Sequence, residues 1–123
     1  MLKFVKKWDK KCIQDDGPFV SKEFSSFYRQ FVNGLKRSFP LCEVTVRKGH
    51  YDISGFLSQD GKHIYFSYAV PRGNLPIDFS QENARNGFLY RKAKDTKDYT
   101  GGLNHFCSGY DFVSSVNRLF SRI

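Results

Sequence analysis

Fourteen residues from Lys94 to Cys107, Lys94-Asp95-Thr96-Lys97-Asp98-Tyr99-Thr100-Gly101-Gly102-Leu103-Asn104-His105-Phe106-Cys107, gather cations, an amide, an imidazole and a thiol. Two adjacent glycines let the backbone turn tightly and expose its N–H groups. With Lys97, Thr100, Asn104 and His105 beside them, such a turn could hold a phosphate or a carboxylate. The spacing is not that of a GxxxxGK[ST] loop, and no strand–loop–helix context surrounds it. A tight turn within an irregular loop is the plainer reading. His105 and Cys107 would lie on one side of the chain if residues 103–107 are extended. A neighbouring imidazole, from His105 or His50, lowers a thiol pKa and could make Cys107 a nucleophile, but no orienting third group is evident.

Histidines 50, 63 and 105 could act as acid and base on a phosphodiester, with Lys or Arg stabilising the phosphorane. Asp52, Asp60 and Asp78 are scattered and match no metal-nuclease spacing. The three cysteines, Cys12, Cys42 and Cys107, lack the paired spacing of a zinc site, so neither a metal nor another cofactor is expected. Reduced thiols imply a cytoplasmic setting. No catalytic residue is assigned, and a small basic nuclease using His50, His63 or His105 is the alternative reading.

A different chemistry comes from aromatics interleaved with cations. Tyr65, Tyr68, Tyr90 and Tyr99 sit near Arg72, Arg91, Lys92, Lys94 and Lys97. Stacking platforms beside backbone-neutralising charge are the footprint of single-strand binding. The plain counter-reading is that the aromatics fill a core and the cations solvate its rim.

Charge favours an anionic partner. The 123 residues carry a formal net charge of +8. Residues 1–50 hold eleven Lys or Arg against five Asp or Glu, and residues 51–123 hold nine against seven. Such asymmetry points to nucleic acid or an acidic protein surface, although a charge of this size also serves solubility. The candidate contact residues are Lys6, Lys7, Lys10, Lys11, Arg29, Lys36, Arg72, Arg91, Lys94, Lys97, Tyr99, Asn104 and His105. No run approaches the roughly 20 apolar residues of a membrane span, and lysines interrupt the first eight residues as they would not in a secretory signal.

The elements that must position these groups follow from periodicity. Residues 2–12 place Phe4, Trp8 and Cys12 four apart among lysines, which predicts a short helix with a basic outer face. Phe24, Phe27, Tyr28, Phe31, Leu35 and Phe39 predict a helix over 21–39, capped by Ser21 and stopped by Pro40. Lys22, Arg29 and Lys36, seven apart, would line its other side. From residue 43 the period becomes two. Strands are predicted over 43–47, 51–58 and 63–70, with an Asp60-Gly61 hairpin turn between the last two. Phe88–Lys92 offers a fourth strand. Residues 71–87 and 94–109 read as long connections. Ser108 and Asp111, in a capping-box-like relation, precede a final helix over 110–121.

This order predicts one α+β domain over residues 1–123. An antiparallel sheet of three to four strands within residues 43–92 would carry its helices on one face. Parallel units are excluded because nothing helical of sufficient length separates the strands.

Three segments together carry a resemblance: Gly49-His50-Tyr51-Asp52-Ile53-Ser54-Gly55-Phe56, Tyr65-Phe66-Ser67-Tyr68, and Lys97-Asp98-Tyr99-Thr100-Gly101-Gly102-Leu103-Asn104-His105-Phe106. Across residues 45–107 the chain resembles small accessory proteins of bacterial mobile elements, prophages and conjugative elements. The resemblance brings no activity, cofactor or catalytic residue. It implies a context, because short proteins on such elements often act on nucleic acid or on host nucleoprotein machines such as restriction and CRISPR effectors. The expectation is a non-enzymatic inhibitor of anti-CRISPR or anti-restriction type. A basic inhibitor would bind guide RNA, DNA or an acidic protein surface, and a protein-interaction module for an acidic partner is a further alternative.

Overall fold

The computed structural model describes residues 21–48, 52–69, 87–109 and 111–123. Lys6, Lys7, Lys10, Lys11, His50 and Arg72 lie outside the described residues, as do the helix predicted over 2–12 and most of the connection over 71–87.

Helix α1 spans Ser21–Ser38. Phe27, Phe31 and Leu35 recur every fourth position, so they form one buried stripe, and Phe39 extends it. The Phe39 N–H still bonds the Leu35 carbonyl at 2.9 Å, and the Cys42 N–H bonds the Phe39 carbonyl at 3.0 Å, which turns the chain at Pro40. Helix α2 spans Phe112–Arg122 and buries Phe112, Val116 and Phe120 in the same four-residue rhythm. Asp111 itself stands at the N-cap, not three residues inside the helix as a capping box with Ser108 requires, and its side chain makes no capping hydrogen bond. Its carbonyl accepts the Ser115 N–H at 2.9 Å, the first hydrogen bond of the helix.

Five strands, rather than three to four, form one antiparallel sheet in sequential order: β1 Glu43–Lys48, β2 Asp52–Gln59, β3 Lys62–Ala69, β4 Gly87–Ala93 and β5 His105–Ser108. The sheet therefore runs to residue 108, beyond the predicted limit of 92. The extra strand lies in what the sequence presents as loop, and the true β4–β5 connection is residues 94–104. The Asp60-Gly61 turn forms as predicted. Both residues have positive φ, 52° and 73°, which suits the two-residue hairpin linking Gln59 to Lys62.

Alternation assigns each strand residue to a face. Ile53 and Leu57 of β2, Ile64, Phe66 and Tyr68 of β3, Phe88 of β4 and Cys107 of β5 meet the buried stripes of both helices in one core. The helices thus share one side of the sheet. Phe31 sits at the centre, its ring 5.9 Å from Phe88, 6.2 Å from Phe66 and 5.5 Å from Tyr68. Phe112 of α2 meets Phe88 at 4.4 Å and Phe39 of α1 at 6.0 Å, so aromatic contacts tie both helices to the central strands. Tyr28, at the margin, donates its hydroxyl hydrogen to the Val46 carbonyl at 3.2 Å and fixes α1 over β1.

Candidate functional site

The opposite face of the sheet has no helix against it among the described residues. Cross-strand register builds it in rows. Thr45, Phe56, Tyr65 and Arg91 lie side by side on β1 to β4. Arg47, Ser54, Ser67, Leu89 and Phe106 form the next row across all five strands. The β4–β5 loop folds back onto this face and sets Tyr99 edge-on against Phe56, centroids 5.2 Å apart, and against Tyr65 at 5.9 Å. The Arg47 guanidinium lies 4.7 Å from the Tyr99 ring centre and that of Arg91 lies 4.5 Å from the Tyr65 ring centre. The result is a ladder of cation, ring, rings and cation. Phe56 at its base is fully buried, whereas Tyr99 at its top is 42% exposed.

One carboxylate gives the loop its shape. Asp98 accepts the Lys94 N–H on Oδ2 at 3.0 Å and the Gly101 N–H on Oδ1 at 3.0 Å. These backbone donors, reinforced by Thr100 and the Arg91 charge, hold its carboxyl below the ordinary aspartate value despite some desolvation. Asp95 makes a smaller turn by accepting the Lys97 N–H at 2.8 Å. Gly102 closes the loop at a φ of 90°, with space for a Cβ blocked by the Lys92 carbonyl oxygen, so only glycine fits here. The anion at Gly101 is thus the chain's own Asp98. The N–H group that the sequence offered to a phosphate is already taken.

Arg91 differs from its expected role as a contact residue, because it is buried to 2% exposure. Its Nη2 donates to the Asp98 carbonyl at 2.9 Å. Its Nη1 stands 3.8 Å from Asp98 Oδ1, which is an ion pair but too long for a hydrogen bond, and this buried nitrogen has no hydrogen-bond partner among the described residues. Arg91 therefore positions the loop from beneath. Such a cation is tolerated because the Tyr65 face, the Asp98 carbonyl and the Asp98 charge surround it.

The other predicted contact residues divide among different surfaces. Lys94, Lys97 and Asn104 are exposed along the β4–β5 loop, with Tyr99 among them. Arg29 and Lys36 are exposed on α1, in the helical layer. His105 pairs with Tyr90 on the helix side of β5, where their rings stack at 5.2 Å. Tyr65 and Tyr99 share the open face, but Tyr68 is fully buried core and Tyr90 packs against that core. Arg47 was missed by sequence reasoning. Its signal was the alternation of β1, which places it opposite Val44 and Val46, and its register against Ser54, whose hydroxyl accepts its Nε–H at 3.3 Å.

Of the three candidate histidines, His50 lies outside the described residues, and the other two are apart. His63 lies on the open side at the β2–β3 hairpin, its Nδ1 2.7 Å from Ser58 Oγ, whereas His105 faces the other way. The sheet stands between them, so they do not flank one phosphodiester. Cys107 does share a side with His105, as expected for an extended segment. Burial, with the Asp111 charge, pushes its thiol up to about 12, which keeps it protonated and unreactive at neutral pH. Among the described residues no three His, Cys, Asp or Glu side chains group as a metal site, and no helix is long and apolar enough to cross a membrane. No protein-family model, no curated protein and no solved structure matches this chain.

Proposed function

We propose that this chain is a non-enzymatic nucleic-acid-binding protein that takes single-stranded segments on the exposed Tyr99 and the cations of the β4–β5 loop. The observation that carries the reading is Tyr99, a ring 42% exposed yet braced by Phe56, Tyr65 and Arg47. An aromatic platform fixed before binding loses little entropy when a base stacks on it. Lys94 and Lys97 in the same loop supply charge for the backbone, and the net charge of +8 draws a polyanion to the molecule. In its cytoplasmic setting the protein acts on a host nucleoprotein complex, as an anti-CRISPR or anti-restriction type inhibitor whose target is guide RNA or exposed DNA.

Replacing Tyr99 and Lys97 together by Ala tests the reading. The double variant should bind a fluorescent single-stranded oligonucleotide at least tenfold more weakly, about 1.4 kcal/mol, while its circular dichroism spectrum stays that of the folded protein and its Tm falls with the lost ring contacts. Equal affinity in a normally folded double variant would remove the loop from the binding surface.

A further inference from the structure

We propose, resting on the single-strand reading of Tyr99, that Arg47 binds the phosphate flanking the base stacked there. The ligand of this site is then a phosphorylated nucleotide unit and not a base alone. Arg47 stands on β1 with its side chain exposed. Two contacts fix it. Its Nε donates to the hydroxyl of Ser54, its direct partner across the β1–β2 pair, at 3.3 Å, and Ser54 is itself buried to 1% exposure. Its guanidinium carbon lies 4.7 Å from the centre of the Tyr99 ring. Neither contact consumes the N–H groups of Nη1 and Nη2. Among the described residues, no carboxylate pairs with this guanidinium and Ser54 is its one hydrogen-bond acceptor.

The chemistry of the pair selects the ligand. The outer fork of a guanidinium matches two oxygens of a phosphate with parallel hydrogen bonds. A carboxylate fits the same fork but brings no planar ring for Tyr99. A nucleotide brings both groups on one unit. Arg47 covers one face of Tyr99, so a base takes the other, and the flanking phosphate passes the ring edge to meet the Nη groups. Lys94 and Lys97 are exposed in the adjoining loop but offer no fork, because an ammonium is a point charge on a flexible stem. Arg47 is instead held in place by Ser54 and Tyr99 before any ligand arrives, so it loses little side-chain entropy on binding.

Affinity of the full chain for a fluorescent oligothymidylate, measured over a salt series, tests it. Losing one phosphate contact to a single strand lowers the slope of log affinity against log salt by about 0.7. Arg47→Gln, which removes the charge, should show that drop and bind roughly tenfold more weakly, the order of one charge-assisted hydrogen bond. Arg47→Lys keeps the charge without the fork, so it should keep the parent's slope and still bind more weakly. An arginine that only braced Tyr99 would change the affinity and leave the slope alone, so equal slopes for a folded Arg47→Gln and the parent overturn the proposal. If Arg47→Gln does not fold, Arg47→Lys at the parent's affinity overturns it. A parent that binds no single strand at low salt removes the reading of Tyr99 and this one together. A parent that binds, and weakens in Tyr99→Ala while Arg47→Gln keeps its slope, removes the role of Arg47 alone.

Discussion

At the scale of single residues, Asp98 and Arg91 exchange the roles their types suggest. Lysines and arginines in a polar loop read as contacts, and an aspartate among them reads as a solvent-facing charge. The fold instead buries Arg91 and makes Asp98 the acceptor that closes the loop. The identities were legible in the sequence, but the roles were not, because they depend on β4 turning Arg91 under the loop it precedes. Acid titration follows from the carboxylate. In an unfolded chain its pKa stands near the ordinary 3.8, and folding lowers it. Its contribution is therefore complete above that ordinary value and is lost as pH falls through the lowered one. Asp98→Asn should unfold at lower denaturant than the parent at neutral pH, and the gap should shrink on acidification below the ordinary aspartate value. Urea midpoints measured against pH check this, and a gap that persists in acid would mean the Asp98 charge does not hold the loop.

At the scale of elements, long periodic segments declare themselves and short ones do not. Helix α1 and strands β2 and β3 stand where the spacing predicts, within a residue or two. Eighteen residues with an apolar stripe admit few other structures. The sequence presents β5 as loop because four residues beside Gly101, Gly102 and Gly109 carry too little pattern, and its pairing with β4 supplies what local sequence does not. The aromatic stripe of α1 gives the firmest expectation of stability. Phe31 has no solvent exposure and touches the rings of Phe66, Tyr68 and Phe88. Phe31→Ala should cost about 3–5 kcal/mol, the range for a truncated buried aromatic. Chemical denaturation of the variant measures it, and a loss below 1 kcal/mol, on the order of an exposed site, would place this ring outside the core.

At the scale of the whole molecule, the sheet separates two kinds of surface. One side is closed by α1 and α2 over an aromatic core, and the other carries Arg47 and Tyr65 with a shaped loop that lays Tyr99 against them. Composition announced both the aromatics and the charge but not their division, which only the strand register assigns. Tyr68 and Tyr65, three residues apart, fall on opposite sides for that reason. The central claim is that Tyr99 and its neighbouring cations receive single strands. It is tested most directly by titrating the protein with a single-stranded oligonucleotide and with the duplex of the same sequence over a range of salt. Stacking on Tyr99 requires unpaired bases, and phosphate contacts release counterions. The predicted result is binding that falls linearly in log affinity against log salt and favours the single strand over the duplex by at least tenfold. No binding at low salt, or equal affinity for strand and duplex at every salt concentration, would contradict the account.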